Sequence, residues 1–403
     1  MSKIRNISFS PPDITEEEIV EVANALRSGW ITTGPRTKEF EKRIAEYVGV
    51  KKSVCLNSAT AAMELSLHVL GVGPGDEVIT SAYTYSASAA VIHHVGAKII
   101  MIDTAPGSFE MDYEKMEEAI TEKTKVIIPV DIAGVMCDYD RIFKAVENKK
   151  HLFRPNNLRQ ETIGRVTILS DAAHSFGANR NGMNAGQVAD ITCFSFHAVK
   201  NLTTAEGGAI TWTKTFGMTD EEMYKEYMLL SLHGQSKDAL SKMQKGAWEY
   251  DIIYPAFKCN MTDILASVGL VQLKRYDGLL SKRFELIKIY NDLLDAKKFD
   301  LLHHVDDSFR SSGHLLLLNL VGYSENERNK MIQYLADNGV STNVHYKPLP
   351  LFTAYKNLGF KIENYPNAHE KYKNEITLPL HTLLSKIDVE YICDLLNQYR
   401  KGE

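Results

Sequence analysis

The chain has 403 residues, 44% hydrophobic and 24% charged, the composition of an ordinary globular protein long enough for about two or three domains. Its formal net charge of -5 excludes a global basic field for nucleic acid or an anionic membrane, while local phosphate sites stay open. Five scattered cysteines without a CxxC pair, a start without a signal-peptide core and no membrane-length apolar run predict reduced thiols and a cytoplasmic protein.

Along the chain, Thr15 and Glu18 form a capping box ahead of Ile19, Val22, Ala23 and Leu26 at helical spacing, and Gly29 closes this first helix. A second helix turns Phe40, Ile44 and Tyr47 inward. Short apolar runs then alternate with helical patterns: VCLN at 54–57, EVITS at 77–81, KIIMID at 98–103, KVIIPVDI at 125–132, VTILSD at 166–171 and ITCFSF at 191–196. Helices are expected at Ala59–Leu70 and Tyr139–Val146 among others, so the pattern is α/β with a mostly parallel sheet covered on both faces. Gly207-Gly208 introduces AITW, a candidate added strand. The polar, basic segment 147–165 reads as a surface excursion.

After Thr262 the pattern changes. A long amphipathic stretch, Ile264–Leu293, leads to strand-like HLLLLNL at 314–320, a helix over Asn326–Asp337, VSTNVHY at 340–346 and a last helix from Ser385. This predicts a large α/β domain over 1–262 and a smaller α+β domain over 263–403.

Three local features suit one cofactor. Asp171 ends a strand where open α/β sheets present ligand-binding residues, and Lys200 follows the next strand. Asn57-Ser58-Ala59-Thr60 joins a strand to a helix N-terminus, where free N–H groups favour phosphate. A lysine, a carboxylate and an anion site are what pyridoxal phosphate needs. Each has an ordinary reading as well: solvated lysines, aspartates at turns and Ser N-caps are common. The pairs His93-His94 and His303-His304 lack metal-ligand spacing, so no metal is assigned.

The segments SGWITTGPRTKEFEKRIAEYVGV (28–50), NSATAAMELSLHVLGVGPGDEVIT (57–80), DAAHSFGA (171–178), SFHAVKNLTTAEGGAI (195–210), NMTDILASVGLVQL (260–273) and LPLH (378–381) carry a resemblance. In that order they are similar to the DegT/StrS-type nucleotide-sugar aminotransferases, fold-type-I pyridoxal-phosphate enzymes, over almost the whole chain. The 147–165 excursion is longer than the usual link and departs from the pattern.

The resemblance implies that Lys200 bonds the cofactor and moves the substrate proton, and that Asp171 pairs with the pyridine nitrogen. It places His174, where many relatives have Gln, near the phenolic oxygen, Ser195, Ala59 and Thr60 at the phosphate, and Tyr85 on the ring face. His197 more naturally fixes the loop bearing Lys200 than serves as a base. Asn260 matches a residue reaching the phosphate from a neighbouring subunit, which implies a homodimer with shared sites; alternatively it caps the helix opening at Met261. His345 and Tyr346 match a loop approaching the sugar nucleotide. The implied reaction moves an amino group from L-glutamate to a nucleotide-linked keto sugar for cell-surface polysaccharide, a UDP-4-keto-6-deoxy-N-acetylhexosamine being favoured. Rival readings are a 3-keto dTDP-sugar acceptor, a cofactor-bound sensor without turnover, and a sugar dehydratase, which Lys200 disfavours because that branch carries His there.

Overall fold

Seven strands form the central sheet of the computed structural model, which describes residues 5–237 and 249–400. They are β1 (Ser53–Leu56), β2 (Glu77–Ser81), β3 (Lys98–Ile102), β4 (Thr124–Ile128), β5 (Thr167–Asp171), β6 (Ile191–Ser195) and β7 (Gly208–Trp212), in the order β1-β7-β6-β5-β4-β2-β3. All six apolar runs expected as strands are in it. The AITW segment is β7, inserted antiparallel between β1 and β6 rather than added at an edge. The other neighbours pair in parallel.

Continuous Val/Ile runs are explained by burial on both faces. Val78, Val126 and Leu169 face one apolar cluster, while their neighbours Ile79, Ile127 and Ile168 face the other. The covering helices are α1 (Glu16–Arg27), α2 (Pro35–Val48), α3 (Ala59–Val69), α4 (Ala87–His94), α5 (Tyr113–Glu118), α6 (Tyr139–Asn148), α7 (Leu158–Ile163), α8 (Asp220–Ser231) and α9 (Asp263–Lys274). The capping box of α1 is present, but Ile19 and Leu26 on its apolar stripe are exposed, and Glu18 and Ala25 are the buried residues. The α2 N-terminus lacks a side-chain cap of its own. The fully buried Asp263 carboxylate supplies it from far along the chain, accepting the N–H groups of Gly34 (2.8 Å), Arg36 (3.0 Å) and Thr37 (2.9 Å).

The stretch expected as one long helix is two, broken at Arg275: α9, then α10 (Tyr276–Leu293). Tyr276, Leu279 and Leu280 pack in the core shared with Phe40 and Phe176, whereas Leu286, Ile287 and Tyr290 pack in a separate C-terminal core. That core lies under an antiparallel sheet of β8 (Phe299–Leu301), β9 (Leu316–Leu320) and β10 (Glu375–Leu378). Its helices include α11 (Glu325–Asp337) and α14 (Lys386–Gln398); α12 (Thr353–Asn357) and α13 (Pro366–Lys373) lie between. Isolated bridges from Val340 to Ile7 and from Asn343 to Thr377 hold the segment 340–346. Among the described residues, no helix is long and apolar enough to cross a membrane.

Segment 147–165 contains α7 and is tied down rather than loose. Gln160, buried, and Asn157 both donate to the Leu70 carbonyl (3.0 and 3.1 Å), and Arg159 donates to Val69 O, at the C-terminal end of α3. These side chains satisfy carbonyls that a helix end leaves unpaired. Gln160→Ala is therefore expected to cost about 1–3 kcal/mol, read as a lower thermal midpoint; an unchanged midpoint would show that water replaces the amide freely.

Candidate active site

Three strand ends meet along one edge of the sheet. The chain leaves β1 through Asn57 and enters α3, whose N-cap Ser58 accepts the N–H of Ala61 (3.1 Å). The first-turn amides of Ala59 and Thr60 precede any carbonyl of the helix that could accept them. Gly208 lets this turn lie directly over β7: a Cβ there would sit 2.5 Å from Ala59 N and from the Ser58 carbonyl carbon. Asp171 ends β5 and Ser195 ends β6, after which the chain turns through His197 to Lys200.

A cavity of about 480 Å³ lies over this edge. Ala59, Thr60, Tyr85, Asp171, His174, Ser195, Lys200, His345 and Tyr346 all line it. Asn260 does not line it; its amide donates to Thr33 Oγ1 beside the end of β1. The helix that follows is capped by Thr262, whose hydroxyl accepts Leu265 N–H, so Asn260 is not its cap.

Electrostatics sharpen the picture. Asp171 is buried, and its carboxylate accepts Ser88 Oγ–H (2.6 Å) and Ala173 N–H (3.2 Å). Burial raises its pKa, opposed by those hydrogen bonds and by the Lys200 charge. Burial also lowers Lys200, to about 8, against the pull of Asp171. A half-buried ammonium so poised readily yields a neutral, nucleophilic amine. Capture of the cofactor by the apoprotein is expected to accelerate as pH rises, with a midpoint near 8, because the ammonium below that pH has no lone pair. Stopped-flow absorbance checks this; a rate flat from pH 6 to about 9 would contradict it.

The opposite wall comes from the C-terminal unit. His345 donates its backbone N–H to the buried Glu375 (3.0 Å), and its ring Nδ1 meets Thr377 Oγ1 (2.9 Å). Tyr83 donates to His345 O (2.9 Å) and Phe9 stacks on the imidazole. Burial and the nearby Lys200 charge push His345 down to about 3, so it is neutral. Tyr346 Oη lies 3.0 Å from His174 Nε2.

Two residues of the site escape sequence reasoning. Ser88 follows Tyr85 on the next helix, and only folding reveals that its hydroxyl reaches Asp171. His314 opens a run expected as strand, yet it packs 4.5 Å from the His174 ring and meets Asn201 Oδ1. A histidine before an all-leucine run is the faint signal that was available.

The residues fit pyridoxal phosphate: a pocketed amine, a buried carboxylate and a helix N-terminus that a Cβ at Gly208 would block. This sheet with this lysine–aspartate pair defines a pyridoxal-phosphate aminotransferase of fold type I. More narrowly, the chain belongs to the DegT/DnrJ/EryC1/StrS aminotransferase family, whose model matches residues 12–397, and it is a sugar aminotransferase. It is 36% identical to the spore coat polysaccharide biosynthesis protein SpsC of Bacillus subtilis, covering 98% of this chain and 97% of that protein. It is 34% identical to the UDP-4-amino-4-deoxy-L-arabinose–oxoglutarate aminotransferase of Shewanella sediminis, covering 96% of each. The PLP form of Spr1654 from Streptococcus pneumoniae, assigned as a sugar aminotransferase, matches with 56% identity and a TM-score of 0.93 over 97% of each chain.

Proposed function

We propose that this enzyme transfers the amino group of L-glutamate to a UDP-linked 4-keto-6-deoxy-N-acetylhexosamine in the making of a cell-surface polysaccharide. The observation that carries the reading is the half-buried, amine-prone Lys200 facing buried Asp171 in one cavity walled by His174, His345 and Tyr346. Support for the acceptor and donor comes from the Shewanella sediminis relative, whose name contains a UDP-4-amino sugar and oxoglutarate. The Bacillus subtilis relative's name supports polysaccharide synthesis.

When bound, pyridoxal phosphate supplies an electron sink that stabilises negative charge on the donor's α-carbon. Asp171 holds a proton at the pyridine nitrogen, where its charge is worth most because burial excludes water. Lys200 would hold the cofactor through Nζ, and its free amine would be the base that takes the proton from the donor's α-carbon. Ala59, Thr60 and Ser195 would hold the phosphate at the α3 N-terminus, and Tyr85 would stand against the ring. His345 would orient the sugar, from the wall it shares with Tyr346. Assaying glutamate with a panel of nucleotide keto sugars, by the mass of the sugar product, tests the acceptor. Amination of 3-keto dTDP sugars alone would overturn it.

The working unit in this reading is a homodimer in which Asn260 reaches the phosphate of the neighbouring site. Two observations support it: Asn260 lies outside its own cavity, and Ile19, Val20, Leu26 and Ile31 expose apolar surface on and after α1. A mixed dimer of one Lys200→Ala chain and one Asn260→Ala chain should regain one working site of two. No rescue, with Asn260→Ala alone clearly impaired, would sink the shared site.

A further inference from the structure

We propose that Tyr346, and not His174, donates the hydrogen bond received by the ring oxygen of the cofactor, with His174 serving as the positioning residue that aims it. This rests on the reading that Lys200, Asp171 and Ser195 hold pyridoxal phosphate.

The inference follows from counting protons. His174 is a neutral imidazole, since burial and the Lys200 charge hold its pKa well below the usual value. Its Nδ1 accepts the N–H of Ala133 at 3.2 Å. A neutral ring that accepts at Nδ1 carries its only proton on Nε2. That proton therefore goes to Tyr346 Oη, 3.0 Å away, and both nitrogens of His174 are spent within the protein. Tyr346, accepting there, keeps its own O–H proton for another acceptor. Its burial and nearby Asp171 hold the phenol protonated, and Tyr346 lines the cavity.

The donor to His174 is itself well anchored. Ala133 sits in the left-handed region (φ 57°) that alanine seldom adopts, and its carbonyl accepts His314 N–H at 3.1 Å. Below Tyr346, Glu375 and Thr377 grip His345, so the tyrosine is held from both sides. The covalent layout of the cofactor selects the acceptor. Its ring oxygen lies on the edge opposite the phosphate arm, and the phosphate end belongs to Ala59, Thr60 and Ser195. The other edge then faces the wall bearing His174 and Tyr346.

The test is a pH titration of the long-wavelength absorption band of the holoenzyme without substrate. A hydrogen bond donated to the ring oxygen draws electron density from it and weakens its hold on the neighbouring proton. Tyr346→Phe should thus shift the titration upward by about half to one pH unit, the size of one hydrogen bond. His174→Phe should shift it the same way. His174→Gln should restore the wild-type value, because an amide can accept from Ala133 and donate to Tyr346 at once. Should Tyr346→Phe fail to fold, 3-fluorotyrosine at position 346, a stronger donor, should shift the titration downward. A wild-type titration in Tyr346→Phe with cofactor on Lys200 overturns the inference. So does a shift in His174→Phe alone, or a raised KM for the keto sugar in Tyr346→Phe without any shift. Cofactor found on a lysine other than Lys200 would instead sink the underlying site assignment.

Discussion

Lys200→Ala is expected to yield a folded protein that forms no Schiff base with pyridoxal phosphate and loses at least about a thousand-fold in turnover. The loss is large because one side chain performs two tasks, covalent attachment and proton transfer, and nothing else in the cavity can take over. Both His174 and His345 have their rings hydrogen-bonded into the wall, and an imidazole forms no Schiff base. The fold should survive, since Lys200 lies on the turn between β6 and β7 and its side chain faces the cavity. Removing the cation also removes part of what opposes the burial of Asp171, so that carboxyl should become easier to protonate in the variant. Borohydride reduction followed by peptide mass mapping reads the result in the wild-type protein. Label on any lysine other than Lys200 contradicts the assignment.

Asp171→Asn should keep the cofactor and lower turnover by roughly 10²–10⁴-fold. A carboxylate holds a proton on the pyridine nitrogen by charge, whereas an amide of the same shape holds it only by a hydrogen bond. The substitution is tolerable sterically and in hydrogen bonding. Its amide oxygen can still accept Ala173 N–H, and its NH₂ can donate to Ser88 Oγ, whose proton then turns toward Thr84 Oγ1, 2.9 Å away. Binding and chemistry should therefore separate: a normal phosphate-anchored complex, visible in the cofactor spectrum, with stalled donor conversion. Normal turnover in this variant would show that Asp171 is not the electron-sink partner.

Much of this was written in the chain's order. Continuous Val/Ile runs between helical patterns specify strands buried on both faces, because both faces must then be covered by helices. Chemistry at strand ends follows, since only there does the backbone turn and expose side chains beyond the sheet. Asp171, Ser195 and Lys200 stand at such places, and the family resemblance could read them from contiguous residues.

What lay outside the sequence is what depends on distant segments meeting. The placement of β7 between β1 and β6 is a matter of long-range pairing, and it puts Gly208 beneath the α3 turn. Asp263 capping α2 and Gln160 capping α3 satisfy helix ends from 226 and 90 residues away, beyond any local capping rule. The exposed stripe of α1 defeats the usual inference from periodicity to burial, because periodicity says which residues share a face and not what covers it. His345 and Tyr346 reach the wall of the site because bridges from Val340 to Ile7 and from Asn343 to Thr377, on β10, fix the segment that precedes them. The proton count at His174 is likewise tertiary. Its neighbours in sequence are Ala173 and Ser175, but its two partners are Ala133 and Tyr346, 41 and 172 residues away, and only packing brings them to one imidazole.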